Sequence, residues 1–141
     1  MAFEYRSGKR NPVQFLLDSS TAAVTVGMAM TITDATGGYV KDVDVAAEAV
    51  MGIAMQAVSS PSADGDASVL IDISTSSIYE VPPNAGTLVI TENYNTCDVG
   101  ADGITIDHDG SSTDDIFILT VDLVTQTALV HLRRTSVTGV A

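Results

Sequence analysis

Residues 50–73 constrain the fold most strongly. Two apolar runs, at 50–58 and 67–73, flank a polar segment rich in Ser, Asp, Pro and Gly. Runs of β-branched and apolar residues favour strands, while Pro, Asp and Gly readily adopt the backbone angles of turns. The sequence therefore predicts two strands joined by a turn. The stretch contains no His, Cys, Lys, Arg or Tyr, so it offers packing surface and little chemistry.

Alternation of apolar and polar residues predicts most of the other strands. At 28–33 the large apolar side chains share one parity, and in the run 69–73 the polar exception, Asp72, falls on the opposite parity from Ile71. This is the pattern of a strand with one buried face, so Asp72 is expected on the outer face. The further predicted strands are 13–17, 39–41, 77–81, 88–91, 104–106, 116–123 and 127–133.

Helix has little support in the sequence. The segment 45–51 contains good helix formers, but it is too short to be stable without packing, and we expect at most one turn there. Many short strands separated by turns indicate an all-β fold, a small antiparallel β-barrel or a sandwich.

The length suits one domain. A chain of 141 residues is long enough to bury about 68% of its unfolded surface. We predict an extended N-terminal arm at 1–12 and a single β-barrel domain at 13–141. Segments 26–37 and 99–110 are similar, as are 68–73 and 127–132. The domain therefore contains either two related β units, about 13–81 and 88–134, or two units that are alike by chance.

Charge and composition exclude several partners. The net charge of -12 and the pI near 4.1 disfavour attraction to a nucleic-acid backbone. The N-terminus lacks the apolar core of a secretory signal, and no run approaches the ~20 apolar residues of a membrane helix. We therefore expect neither a nucleic-acid nor a membrane partner. The single cysteine, Cys97, is expected to be a small buried hydrophobe.

Catalytic motifs are missing from the sequence. It has no Gly-x-Ser-x-Gly elbow, no phosphate loop and no dinucleotide fingerprint. We expect structural roles for His108 and His131, no enzymatic activity and no cofactor. The best metal candidate is a weak one, the turn 107–115, where Asp107, Asp109 and Asp115 could bind calcium, although glycine falls fourth rather than sixth in this loop.

Basic and aromatic residues concentrate at the N-terminus. The candidate binding residues there are Phe3, Tyr5, Arg6, Lys9 and Arg10. The following Asn-Pro step favours extended backbone. This segment is either a solvated tail or an arm that docks on a neighbouring subunit, and its rings either anchor in a neighbour or cap the chain's own barrel. Deleting the first ten residues is expected to leave the melting temperature nearly unchanged.

The order of short motifs along the chain resembles a known family. The basic Ser-Gly-Lys-Arg segment precedes a Val-Gly strand, a Met-Gly-Ile-Ala strand, a Gly-Asp turn, a Tyr-Glu-Val-Pro step, a Val-Gly-x-x-Gly unit and a closing strand at 128–132. This order resembles the tailed-phage head decoration, or capsid cement, proteins of the β-tulip-like group.

The resemblance implies a non-enzymatic structural protein. It implies a homotrimer on the outer surface of a virion head, made in the host cytoplasm, which binds the major capsid protein and stabilises contacts between its copies. The N-terminal arm, at 2–11, would reach across to the capsid or to the next subunit. The alternatives are another structural or adhesive β module, such as a fibre or surface domain, and a small ligand-binding β-barrel.

Overall fold

The chain forms two antiparallel sheets and almost no helix. The computed structural model describes residues 2–32, 38–45 and 48–133. One 3₁₀ turn, Ile90–Glu92, lies in these ranges. The strands are β1 (Glu4–Ser7), β2 (Pro12–Leu16), β3 (Ala29–Ile32), β4 (Val40–Asp42), β5 (Gly52–Ala54), β6 (Ser68–Asp72), β7 (Ile78–Val81), β8 (Thr96–Val99), β9 (Ile106–Asp107), β10 (Ile116–Asp122) and β11 (Thr127–Leu132).

The order of the strands leaves both sheets open. The six-stranded sheet runs β1-β7-β11-β10-β8-β9, and the five-stranded sheet runs β2-β6-β5-β3-β4. The edges are therefore β1 and β9 in the first sheet and β2 and β4 in the second. The all-β prediction is confirmed, and two antiparallel sheets fit the sandwich alternative.

Both predicted hairpins form. In the first, β5 and β6 pair in antiparallel register, with Ile53 opposite Asp72 and Ala54 opposite Ile71. In the second, β10 and β11 pair along their whole length, with one irregularity in register near Ile118. The second strand of each hairpin is an interior strand of its sheet, since β6 also pairs with β2 and β11 also pairs with β7.

The larger hydrophobic core joins the two sheets. It combines Ala29 and Ile53 of the five-stranded sheet with buried residues of the six-stranded sheet, among them Val81, Ile116 and Val130. A smaller cluster consists of five-stranded-sheet residues and the segments beside them: Leu17, Val24, Met30, Val40, Met51, Ala54, Val69 and Ile71. Residues of the five-stranded sheet therefore belong to both clusters.

Cys97 lies in the larger core, as expected. Its side chain is fully buried and forms no disulfide. Burial raises the pKa of its thiol, with a further contribution from the neighbouring Asp98 carboxylate. A thiol in this environment stays protonated and packs as a small apolar group.

Several details differ from the sequence-based predictions. The expected strand at 88–91 is wrong, because the chain there enters the 3₁₀ turn, in which Glu92 N–H donates to Val89 O. Two strands, β1 and β8, were not predicted, since β1 is charged and β8 contains Asp98. The predicted helical turn at 45–51 and the turn at 34–38 include residues 46–47 and 34–37, which lie outside the described residues.

The two similar segments occupy different positions in the fold. In the first copy β3 is an interior strand between β4 and β5. In the second copy β9 has only two residues and forms an edge. Strand β7, from the first half of the chain, also lies in the six-stranded sheet with the strands of the second half. Common ancestry of the two halves stays a prediction.

Asp72 departs from the expected outer position. It is fully buried and accepts hydrogen bonds from Tyr79 Oη at 2.6 Å, Asn11 N at 2.9 Å and Ser74 N at 3.1 Å. Burial opposes ionisation of Asp72, but hydrogen bonds from Ser77, Tyr79, Asn11 and Ser74 outweigh it and lower its pKa. The face of β6 opposite the smaller cluster is therefore covered by other parts of the chain.

We expect Asp72→Asn to lower the free energy of unfolding by about 2 kcal/mol, because an amide cannot accept all the bonds that the carboxylate accepts. Since folding lowers the pKa, the stabilisation is present above the unfolded value of about 3.9 and is lost as the pH falls through the folded value. Urea unfolding at pH 7 measures the change. Asp66→Asn, on an exposed turn, is the control and should stay within about 0.5 kcal/mol of wild type. An unchanged urea midpoint for Asp72→Asn would contradict this role.

Candidate functional site

The N-terminal segment packs on its own chain. Strand β1 pairs with β7, placing Tyr5 opposite Tyr79 and Glu4 opposite Glu80. The Phe3 side chain is 2% exposed in the larger core, and its ring meets the Tyr79 ring edge to face at a centroid distance of 6.3 Å. Of the two alternatives for this ring, the structure shows the one in which it caps the chain's own core.

Arg6 is neutralised within the chain. Its Nη2 lies 2.6 Å from Glu80 Oε1 and 3.3 Å from Glu4 Oε1. Glu80 also accepts a hydrogen bond from Thr127 Oγ1 at 2.7 Å. The bonds from Thr127 and Arg6 lower the pKa of the Glu80 carboxyl. Arg6 therefore has little charge left to offer a partner, and its contacts tie β1 to the sheet.

Tyr5 holds Arg10 in place. The Tyr5 ring contacts Tyr79 edge to face at 5.9 Å, and its hydroxyl donates a hydrogen bond to Gly8 O. The central guanidinium carbon of Arg10 lies 3.6 Å from the centroid of the Tyr5 ring. Such a cation-π contact stabilises by about 1 kcal/mol and orients the cation without neutralising it. The Nε atom of Arg10 is buried and has no hydrogen-bond partner among the described residues.

Glycine at position 8 allows the segment after β1 to lie close to the loop between β6 and β7. Gly8 has a φ of +96°, and a Cβ there would lie 2.1 Å from Ser76 O. Only glycine fits this close contact. The next carbonyl, Lys9 O, accepts a hydrogen bond from Ser74 Oγ at 2.6 Å. The segment after β1 is thereby held against the loop between β6 and β7.

Lys9 and Arg10 border an open polar cleft of about 370 Å³, and the other residues that line it are Asn11, Ser74 and Ser76. The cleft offers two cations together with hydroxyl and amide donors. This combination matches a carboxylate or another anion.

These two cations stand apart from the other bases that the structure describes. Arg6 and Lys41 form ion pairs with carboxylates, and Arg133 donates to Asp114 O. Within residues 2–32, 38–45 and 48–133, neither Lys9 nor Arg10 has a carboxylate oxygen within 4.0 Å. In a chain of net charge -12, Lys9 and Arg10 are therefore the candidate groups for binding an anion.

Arg10 also borders a second, more apolar cleft. This cleft has a volume of about 210 Å³, and its lining includes Phe3, Val26, Met55 and Tyr79. Val26 is 61% exposed. The N-terminal surface, which we define as Lys9, Arg10 and these two clefts, therefore joins a cationic region to an apolar one.

The acidic turn at 107–115 is organised by a carboxylate from β8. Asp98 accepts hydrogen bonds from the backbone N–H groups of Ser112 at 2.9 Å, Thr113 at 2.9 Å and Asp114 at 2.8 Å. Burial raises the pKa of Asp98, but the bonds from Asp114, Ser112 and Thr113 outweigh this effect, and the pKa is lowered. The turn is therefore held by an internal carboxylate.

The three aspartates named for this turn do not share one position. Asp115 is fully buried, and its Oδ2 accepts a hydrogen bond from Val50 N at 2.9 Å. Asp109 lies beside His108 instead, with Oδ1 3.5 Å from Nδ1. Among the described residues, the cluster of possible metal ligands includes Asp109 but neither Asp107 nor Asp115. The weak calcium candidate at this turn therefore gains no support from the positions of these three aspartates.

Sequence reasoning missed the residues that carry buried charge. Asp72 and Asp98 each accept several hydrogen bonds from the segments around them. Ser74, which lines the polar cleft, was also missed. A usable signal exists for the first two, because each is a carboxylate within an apolar strand run. Such a residue requires several hydrogen-bond donors if it is buried.

No helix in the described part of the chain has the length and apolar character needed to cross a membrane. Comparisons with models of protein families, with curated proteins and with solved structures find no match to this chain.

We expect Phe3→Ala to lower the free energy of unfolding by about 3 kcal/mol, because it leaves a cavity in the core. Deleting the first ten residues should lower the melting temperature strongly, the opposite of the expectation from sequence alone. The double substitution Lys9→Gln/Arg10→Gln should cost less than about 1 kcal/mol, since it removes only the cation-π contact. Thermal and urea unfolding followed by circular dichroism compare the three variants. Equal losses in all of them would show that the cations are structural.

Proposed function

We propose that this chain is a capsid decoration protein that binds the outer surface of a viral head through the N-terminal surface. The observation that carries the proposal is the pair of cations, Lys9 and Arg10, that border a polar cleft and have no carboxylate partner in the part of the chain that the structure describes. The resemblance of the motif order to tailed-phage head decoration proteins supplies the class of partner. The protein is then a virion component without enzymatic activity, made in the host cytoplasm.

The proposed partner is the major capsid protein. An acidic side chain of the capsid enters the polar cleft and pairs with Lys9 and Arg10, while an apolar side chain packs beside Val26 and Met55. Pairing with a charged group and burial of an apolar anchor together give a specific contact of modest strength. The proposal includes the β-tulip-like barrel of that family as the finer description of the two sheets.

A homotrimer would make this modest contact effective. Once one subunit binds, the other two sites are held near the shell, so the overall affinity exceeds that of a single site by a factor of about 10² or more. The edge strands β1 and β2 would supply contacts between subunits.

Light scattering on the purified protein tests the trimer. We expect a mass close to three times 14.6 kDa that stays constant over a tenfold range of concentration. A monomer at the highest concentration would overturn the trimeric state, and with it the gain from multiple sites.

Shell binding tests the role of the cations. We expect Lys9→Gln/Arg10→Gln to reduce co-sedimentation with expanded head shells of the major capsid protein at least tenfold, because each shell contact loses both cations. The matched control is Lys41→Gln, which removes a cation that already pairs with Asp44 at 3.0 Å and should bind like wild type.

Two results would count against the proposal. If wild-type protein does not bind shells, the capsid is not its partner. If the double variant binds shells as wild type does, Lys9 and Arg10 do not contribute to the contact. Saturable binding of a soluble dicarboxylate such as citrate, without binding to shells, would favour the alternative of a small ligand-binding module.

A further inference from the structure

Three possible metal ligands from two segments of the chain meet near β9. Glu92 ends the 3₁₀ turn, and His108 and Asp109 directly follow β9. Their donor atoms all lie within 4.8 Å of one another. His108 Nδ1 is 2.8 Å from Glu92 Oε1 and 3.5 Å from Asp109 Oδ1. One imidazole nitrogen therefore faces two carboxylates.

The other side of the imidazole ring is fixed by backbone. His108 Nε2 lies 2.8 Å from Ala85 O. A carbonyl oxygen can only accept, so Nε2 carries a hydrogen and donates it. The Glu92 carboxylate beside Nδ1 is also only an acceptor, so Nδ1 carries a hydrogen as well when no ion is bound, and a bound cation would take the place of that proton. A ring N–H that donates to a backbone carbonyl is the usual support of a metal-binding histidine.

Gly86 makes room for this arrangement. It has a φ of +74°, and a Cβ there would lie 3.2 Å from His108 Nε2. A side chain at this position would therefore crowd the imidazole and strain the backbone. The loop between β7 and the 3₁₀ turn thus holds the ring with the Nδ1 atom toward Glu92 and Asp109.

Burial supplies a further argument for a cation. The His108 side chain is 5% exposed and that of Glu92 is 14% exposed. The second carboxylate oxygen of Glu92, Oε2, is buried and has no hydrogen-bond partner among the described residues. A buried oxygen without a partner is costly, and a bound cation would offset that cost. The Asp109 side chain is 86% exposed, which leaves an open approach for an ion.

The distances and donor types select the kind of ion. Zinc binds nitrogen and carboxylate oxygen at about 2.0–2.1 Å, so two of its ligands in tetrahedral geometry lie ~3.4 Å apart. The separation of 3.5 Å between His108 Nδ1 and Asp109 Oδ1 lies near this value. The separation of 2.8 Å between His108 Nδ1 and Glu92 Oε1 is a hydrogen-bond distance, and it would lengthen by about 0.6 Å when an ion replaces the Nδ1 proton. Calcium prefers six to eight oxygen ligands, whereas imidazole suits zinc and its transition-metal neighbours.

We propose that Glu92, His108 and Asp109 bind one divalent transition-metal ion of the zinc class, with solvent completing its coordination. The ion would join the β7 to 3₁₀ loop, the 3₁₀ turn and the turn after β9. The site lies near edge β9 of the six-stranded sheet, whereas the N-terminal surface adjoins edge β1. The metal proposal is therefore independent of the capsid proposal.

Calorimetric titration of the chelator-treated full chain with ZnCl₂ tests the site. We expect saturable binding of one Zn²⁺ per chain and at least tenfold weaker binding of Ca²⁺. Asp109→Asn should weaken Zn²⁺ binding at least tenfold, and His108→Gln should abolish it. Because Asp109 is exposed, its variant is expected to fold normally, which circular dichroism verifies.

Matched controls separate this site from general effects of charge and histidine content. Asp66→Asn removes one exposed carboxylate elsewhere, and His131→Gln removes the other histidine, which stacks on Phe117. Both should bind Zn²⁺ like wild type, as should Lys9→Gln/Arg10→Gln. Zn²⁺ should also raise the melting temperature of wild type but not that of Asp109→Asn.

Three outcomes would overturn the proposal. The first is the absence of saturable Zn²⁺ binding by wild type at 1 mM metal. The second is binding by folded Asp109→Asn at wild-type affinity. The third is loss of binding in His131→Gln with retention in His108→Gln, which would place the ion at the other histidine.

Discussion

The buried carboxylate of Asp72 connects the parts of this fold on which the binding surface depends. Asp72 belongs to β6 of the five-stranded sheet, and its partner Tyr79 belongs to β7 of the six-stranded sheet. It also holds the backbone of Asn11, directly after the two cations. Tyr79 in turn contacts Phe3 and Tyr5. A buried charge is costly unless every donor around it is well placed, so this network fixes the sheets and the N-terminal segment relative to each other.

This connection changes the physical picture of the N-terminus. A free arm loses conformational entropy when it docks, and that loss reduces its affinity. Here β1 is already paired with β7, and Arg10 already lies against the Tyr5 ring. Lys9 and Arg10 therefore lie on an ordered surface. Most of the conformational entropy of this segment is lost when the chain folds and not when a partner binds. The same packing means that the segment contributes to stability as well as to the proposed recognition of the capsid.

The parts of the fold that the sequence predicts are those with local signals. The two hairpins follow from apolar runs around polar turns, and each register places apolar residues in the cores. The N-terminal surface was predicted only as a list of residues, because its geometry depends on long-range contacts such as Gly8 against Ser76. The 3₁₀ turn was mistaken for a strand because Val89 and Ile90 are apolar but exposed. The alternation of apolar and polar residues in a strand does not indicate which distant residues will contact that strand in the fold.

Electrostatics act at two distances in this molecule. At long range the net charge of -12 repels an acidic partner, and at physiological salt this repulsion is screened beyond about 8 Å. At contact distance Lys9 and Arg10 attract a carboxylate, because no described carboxylate neutralises them. Long-range electrostatic attraction therefore does not favour the association of an acidic partner. Discrimination between partners would depend on the contacts made within the clefts. In the proposed complex, the apolar lining at Val26 and Met55 would give such a partner a second short-range contact, so recognition would require shape and charge together.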